Sequence, residues 1–398
     1  MNFNLIGHYS RNNASASTYN PRVRNTLLGG LSPPTFLKRH WHKLPLLVRG
    51  AIPGFDGLLD LQKLISIATS GECEARIVVP NGRRYEVLTG PIPPRVFREL
   101  PEDGWTLLVQ GINHALPSAR ELLNRFSFLP HARLDDLMVS YATPGGGVGP
   151  HVDSYDVFLL QGSGRKRWQV SKQQDQDLVD DSQLKILKRF RPEGNCVVHS
   201  GDMLYLPPHY AHNGVALDPC FTYSIGFRAP EYQELKSQFL AYLDDNSSID
   251  GRYEDPDITV ATHAGEISGK MITDVTKKLS QIRWTRAGVA DFMGCYLSEP
   301  KSHIVLHQPQ ALGRPEFLRR ARKKGVELHP ALPFLFHGTR GFINGDAFDI
   351  APGERDTIVA LSDRRRLSGA EVEQAQQATQ TLHEWYRYGY IKIGTWRL

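Results

Sequence analysis

The stretch Gly149-Pro150-His151-Val152-Asp153 decides how the rest of the chain is read. His151 and Asp153 are two residues apart, and on a β-strand the side chains at i and i+2 leave the same face. One imidazole and one carboxylate on one face grip a metal ion from one side. A second imidazole from a distant segment would complete a 2-His-1-carboxylate triad with open coordination positions, the ligand set of non-haem Fe(II) oxygenases. Alone, His-x-Asp is a common tripeptide, equally at home as an ordinary hydrogen-bonded pair. Its neighbours have to carry the argument.

Upstream, Pro144-Gly145-Gly146-Gly147-Val148-Gly149-Pro150 interrupts regular structure. It lacks the strand-to-helix context and the Lys-Ser/Thr of a phosphate loop, and reads as a turn that delivers the metal strand. That strand is expected from His151 to Leu160, with His151, Asp153, Tyr155, Val157 and Leu159 on one face. Gly162-Ser163-Gly164 then reads as a tight turn, and Arg165 to Val170 as the antiparallel partner of the metal strand in a hairpin. Lys166, Trp168 and Val170 share one face of it, while Arg165, Arg167 and Gln169 share a solvated one. If Lys166 points into a barrel, it is a buried cation, costly without an anion. A dicarboxylate co-substrate would supply that anion.

Three histidines are candidates for the third ligand: His199, His209 and His212. His199 ends an expected strand from Asn195, and His209 lies inside the turn begun by Pro207-Pro208. His212 follows the Met203 to Leu206 strand and that turn, and precedes Asn213-Gly214. A barrel-rim position there can face His151 and Asp153, so His212 is favoured. In Phe221 to Phe227, Thr222, Ser224 and Gly226 alternate with large apolar residues. The small face could set the Thr222 and Ser224 hydroxyls on a bound carboxylate.

Short strands separated by Gly and Pro turns predict an antiparallel barrel or sandwich, preceded by a helix and strand within Pro34 to Ile52 and a helix over Ala115 to Phe126. Asp175 to Phe190 is polar and reads as a surface excursion. After Pro230 the pattern turns helical, over Glu231 to Asp244, Glu266 to Ile282 and Thr285 to Leu297. This segment would serve as a dimer interface or spacer. The last quarter mixes helices (Pro315 to Lys324, Ala370 to Trp385) with a hairpin (Phe334 to Ile343) and a closing strand (Tyr390 to Trp396), which fits a winged-helix-like module.

The 398 residues are 40% hydrophobic and 22% charged, an ordinary globular balance. No apolar run is long enough to span a bilayer. Four scattered cysteines form no C-x-x-C pair and fit a reducing compartment, so a cytoplasmic location is expected. Before Asp56 there is no acidic residue, a composition faintly like a transit peptide, although an N-terminal extension over 1–33 is the plainer reading. From Lys301 onward lie 15 Lys and Arg against 10 Asp and Glu, which accounts for the whole net charge of +5. Direct nucleic-acid binding is compatible with this surplus but not favoured.

These motifs carry a family resemblance. Gly149 to Asp153, Gly162-x-Gly164-x-Lys166-x-Trp168 and Gly201-Asp202-Met203-Leu204-Tyr205-Leu206-Pro207-Pro208 through His212 resemble the JmjC/cupin-type Fe(II) and 2-oxoglutarate oxygenases. More narrowly, Phe36-Leu37-x-Arg39-His40-Trp41, Asp135-Asp136-Leu137-Met138, Tyr155-Asp156-Val157-Phe158 and Gly226-Phe227-Arg228-Ala229-Pro230 resemble the bacterial ribosomal oxygenases. Lys166 and Thr222 depart from the Arg and Asn expected of close relatives.

The resemblance implies an α+β chain: a double-stranded β-helix over 34–230, a helical dimerisation segment over 231–300 and a winged-helix-like domain over 301–398. It implies Fe(II) on His151, Asp153 and His212, with 2-oxoglutarate as co-substrate on Lys166, assisted by Thr222 or Ser224, and O2. It implies a homodimer that hydroxylates an arginine β-carbon of a large-subunit ribosomal protein. The rival readings are histidine hydroxylation, methyl-lysine demethylation, or a non-catalytic cupin and winged-helix regulator that binds nucleic acid.

Overall fold

The computed structural model describes residues 5–6, 26–82, 84–301, 304 and 306–396. The expected N-terminal extension therefore lies mostly outside the described residues. The chain divides into two compact units, neither of them continuous. The first comprises Met1–Ala229, Lys301–Ala331 and Asp363–Leu398; the second comprises Pro230–Pro300 and Leu332–Ser362.

The first unit contains two sheets. Strands β1 (Leu5–Ile6), β2 (Leu46–Val48), β3 (Ala75–Asn81), β4 (Arg84–Thr89), β5 (Thr106–Val109), β6 (Leu134–Ala142), β8 (Val157–Gln161), β11 (Met203–Leu206) and β13 (Cys220–Phe227) form a nine-stranded sheet in the order β1-β2-β11-β8-β13-β6-β5-β3-β4. Strands β7 (His151–Val152), β9 (Lys166–Ser171), β10 (Gly194–Val198) and β12 (Ala211–Ala216) form a four-stranded sheet in the order β10-β9-β12-β7. From β6 to β13 the chain passes back and forth between the sheets, with only the consecutive β9 and β10 staying in the small one, which makes a double-stranded β-helix. Leu47, Leu159 and Leu204 of the large sheet pack with Trp168, Val170 and Val198 of the small one.

Period-two side-chain direction explains why β8 is buried along its whole length. Val157 and Leu159 face the small sheet, while Phe158 and Leu160 join a second core on the outer face of the large sheet. Helices α1 (Pro33–Arg39), α2 (Leu61–Ser70), α4 (Ile112–Ala115) and α5 (Pro117–Asn124) cover that outer face; α3 (Pro94–Glu99) lies in the connection between β4 and β5. Helix α1 starts at Ser32, whose hydroxyl accepts the Thr35 N–H, with prolines in its first turn. It buries Phe36 completely, with ring centroids 5.0 Å from Tyr205 and 5.5 Å from Phe158.

The rest of this unit carries α9 (Arg314–Lys324), α11 (Gly369–Gln374) and α12 (Thr379–Arg387) beside a three-stranded sheet, β18-β14-β19, formed by Arg366–Leu367, Val326–Leu328 and Ile391–Ile393. In the second unit, α6 (Tyr232–Asn246), α7 (Gly269–Leu279), α8 (Arg286–Ser298) and α10 (Arg355–Arg364) accompany the meander β15 (Phe334–His337), β16 (Arg340–Ile343) and β17 (Asp346–Asp349). Phe292 of α8 packs 5.1 Å from Phe239 of α6, and Asp291 pairs with Arg340 at 3.2 Å.

Four local expectations are corrected. The single strand from His151 to Leu160 is two strands in different sheets, β7 and β8, because residues 153–156 leave the sheet geometry. The Gly162-Ser163-Gly164 turn crosses between the sheets, so β9 pairs with β10 and β12 and makes no hairpin with the metal strand. Each expected long helix, Ala115 to Phe126 and Ala370 to Trp385, is interrupted, the first by Pro117, the second over 375–378. His212 lies within β12, not in a rim turn.

Candidate metal centre and co-substrate pocket

The small sheet brings the three candidate ligands together. In the β12–β7 pair, His212 stands opposite His151. Directly opposed residues have neighbouring side chains, and the two imidazole centroids are 4.2 Å apart. Asp153 follows β7 at once, and its carbonyl accepts the His209 N–H at 2.9 Å. Asp153 Oδ1 is 3.9 Å from His151 Nε2, and Oδ2 is 3.6 Å from His212 Nε2. These separations exceed hydrogen-bond length. One ligand atom from each of the three residues lies within 4.8 Å of the others, close enough to hold one metal ion.

The imidazoles are oriented by the backbone. His151 Nδ1 lies 2.9 Å from the Gly149 carbonyl, and His212 Nδ1 lies 2.9 Å from the Tyr210 carbonyl. A carbonyl only accepts, so each Nδ1 carries the proton and each Nε2 keeps its lone pair for a metal. Burial, then the neighbouring His151, push the His212 pKa down to about 4, against the pull of Asp153. The ring is therefore neutral near pH 7, as ligation requires. Of the other two candidates, His209 has φ of 65° in the turn and His199 follows β10; neither joins the cluster.

The triad opens on a cavity of about 520 Å³ that Lys166, Trp168, Thr222, Ser224 and Gly226 also line. The expected face of β9 points inward: Lys166, Trp168 and Val170 are buried, and Arg167 is exposed. Lys166 Nζ lies 4.9 Å from the Trp168 ring centroid. Burial pushes its ammonium below the ordinary lysine range. Among the described residues it pairs with no carboxylate. Trp168 Nε1 is buried with no hydrogen-bond partner. A desolvated cation and an unused donor in one wall fit an anionic oxygen ligand.

The large sheet supplies the opposite wall. Thr222 and Ser224 face the cavity, while Phe221, Tyr223, Ile225 and Phe227 enter the outer core. The Thr222 hydroxyl donates to Gln161 Oε1 at 3.3 Å. Sequence alone does not assign Gln161, Met138, Ser140 and Asp136 to the site, although Asp136 and Met138 stand in the Asp135-Asp136-Leu137-Met138 motif. For the last three a signal existed, because they alternate along Asp135 to Tyr141. Gln183 to Ile186 of the excursion also line the cavity, and nothing local marks them.

The comparisons agree with this architecture. Residues 121–235 match the JmjC domain model, and residues 281–392 match the ROXA-like winged helix model. The ribosomal protein uL16 3-hydroxylase of Escherichia coli K12 is 32% identical over 322 residues, 80% of this chain and 86% of that one. A probable ribosomal oxygenase of Haemophilus influenzae is 36% identical over 236 residues, 58% of this chain and 56% of that one. Among solved structures, E. coli YcfD matches with a TM-score of 0.80 at 30% identity, over 91% of this chain and 98% of that one. YcfD in complex with cobalt and 2-oxoglutarate matches with a TM-score of 0.76 at 29% identity, over 91% and 98%. Fold and site define an oxygenase of the JmjC class. Within that class, the chain belongs to the ribosomal oxygenase family.

Proposed function

We propose that this chain is an Fe(II)- and 2-oxoglutarate-dependent hydroxylase acting on an arginine β-carbon of the ribosomal protein uL16. The observation that carries the reading is the shared cavity: a His151, Asp153 and His212 cluster within 4.8 Å, and a buried Lys166 without a carboxylate partner. His151, Asp153 and His212 hold the iron by two Nε2 atoms and a carboxylate oxygen. Lys166 neutralises the distal carboxylate of 2-oxoglutarate as a point charge. Ser224 assists; Thr222 acts through an accepting lone pair while its hydroxyl donates to Gln161 Oε1. The bound iron supplies oxidative decarboxylation with O2, placing one oxygen atom in succinate and one in the substrate as hydroxyl, with release of CO2. The protein binds, orients and excludes water.

Asp135 and Asp136 line the same cavity beside the apolar Met138. Carboxylates next to an apolar wall suit a long cationic side chain, which favours arginine over histidine. Direct binding of nucleic acid is not the favoured reading, although α9 exposes Arg319, Arg320, Arg322, Lys323 and Lys324. The helices of 231–300 serve as a homodimer interface, 301–398 as the winged-helix-like part, 34–230 as the catalytic barrel, and the enzyme works in the cytoplasm.

The test is incubation of recombinant uL16 with enzyme, Fe(II), 2-oxoglutarate and O2, followed by peptide mass spectrometry. One added oxygen on an arginine, lost in Asp153→Ala together with succinate, is expected. Oxygen on histidine, or loss of lysine methyl groups, would move the reading to the rival substrates. Full 2-oxoglutarate turnover by Asp153→Ala would refute the metal site.

A further inference from the structure

A carboxylate in the cavity wall is held from outside the barrel. Asp136 lies on β6, on the same face as Met138 and Ser140, and is 6% exposed. Its Oδ2 receives Lys301 Nζ at 3.1 Å. Lys301 stands at the point where the chain returns to the first unit after helices α6 to α8. Burial favours the neutral form of Asp136, and the neighbouring Asp135 adds to that; Lys301 and the Gly111 N–H oppose it. Among the described residues no other side chain forms an ion pair with Asp136. A carboxylate has about four acceptor sites, so two donors leave room for a third.

We infer that Lys301 is a positioning residue for the substrate end of the cavity: its ammonium fixes the Asp136 carboxylate in one orientation in the wall that receives a cationic side chain. This rests on the substrate class proposed above. The barrel alone does not provide the device, because a carboxylate buried this deeply and left unpaired would neutralise or turn outward. The cavity lining runs from Arg76 to Gly226, yet the ammonium that holds one of its carboxylates arrives only once the chain has come back from its helical excursion.

The test uses the full chain with Fe(II), 2-oxoglutarate and recombinant uL16. Lys301→Met is expected to raise KM for uL16 about tenfold, a size set by losing one charge-assisted contact. KM for 2-oxoglutarate and uL16-independent turnover stay within about twofold, since Lys301 does not touch that end of the cavity. Lys301→Arg restores KM by keeping the charge. The double variant Lys301→Met with Asp136→Asn, neutral at both positions, is expected to melt like the wild type and keep the raised KM. An unchanged uL16 KM in Lys301→Met, a parallel rise for 2-oxoglutarate, or a double variant with wild-type KM overturns the inference. If the wild type leaves uL16 unmodified, the substrate reading falls alone. Lys301 is then judged by the crystal structure of Lys301→Met, where the Asp136 carboxylate is expected to turn away; a carboxylate left in place overturns the inference.

Discussion

Gly214 stands directly opposite Trp168 in the β12–β9 pair, and a Cβ on Gly214 would meet the Trp168 ring at 2.5 Å and Lys166 Cε at 2.9 Å. The missing side chain lets the indole and the ammonium occupy one wall. Gly214→Ala is expected to push both into the cavity and raise KM for 2-oxoglutarate by about tenfold or more, with metal affinity nearly unchanged. Steady-state kinetics with isothermal titration of Mn(II) decides it; equal losses in both would point to general unfolding.

The ligand assignment makes a comparison among three histidines possible. His212→Ala should weaken divalent-metal binding by about a hundredfold or more, as expected when one of three ligands is lost, whereas His199→Ala and His209→Ala should leave it within severalfold. A strong effect at His209 and none at His212 would contradict the geometry.

Lys166 gives a pH signature. Between its lowered folded pKa and the ordinary lysine value, the unfolded chain binds more protons than the folded one, so stability without co-substrate rises with pH across that window. Scanning calorimetry of metal-free protein should show that rise, and Lys166→Met should lack it. Superimposable pH profiles would show that Lys166 is not desolvated in solution.

Phe36 anchors α1 in the outer core against Tyr205, Phe158 and Phe128. Phe36→Ala is expected to cost about 3–5 kcal/mol of stability through lost burial and a residual cavity. Urea denaturation measures it, and a loss below about 1 kcal/mol would mean that the site collapses freely.

Helix α7 exposes Ile272 and Leu279, at 57% and 55%. On a homodimer these would be covered. Sedimentation equilibrium should show a dimer for the wild type and a monomer for Ile272→Asp with Leu279→Asp; a monomeric wild type would exclude the interface.

The cluster of His151, Asp153 and His212 was legible in part because two of its members stand close in sequence. His-x-Asp keeps these two side by side even though β7 ends before Asp153, so closeness in sequence rather than a shared strand face brings them together, and the Lys166, Trp168, Val170 alternation fixes the inward cation. The topology was less legible. Gly164 has φ of 73°, and a Cβ there would strike the Pro219 carbonyl. A glycine in that conformation suits a hairpin turn and a crossover between sheets equally well, so local sequence cannot choose between them. Sequence favours His212 as a rim residue between the Pro207-Pro208 turn and Asn213-Gly214, and the isolated sequence Ala211–Ala216 carries no β-rich run to reveal β12. Lys301 was invisible for a different reason: its partner is 165 residues away, and nothing near either residue announces the other.

Strand β14 is flanked by β18 and β19, so the sheet at Val326–Leu328 closes only with residues from Arg366 and Ile391 onward. During synthesis, the barrel strands emerge from the ribosome long before these residues do. The barrel strands, with His151, Asp153 and His212 among or beside them, therefore precede a sheet whose last strand is translated long after β13. A message cut short after β13 would carry His151, Asp153 and His212 and none of the strands β14, β18 and β19.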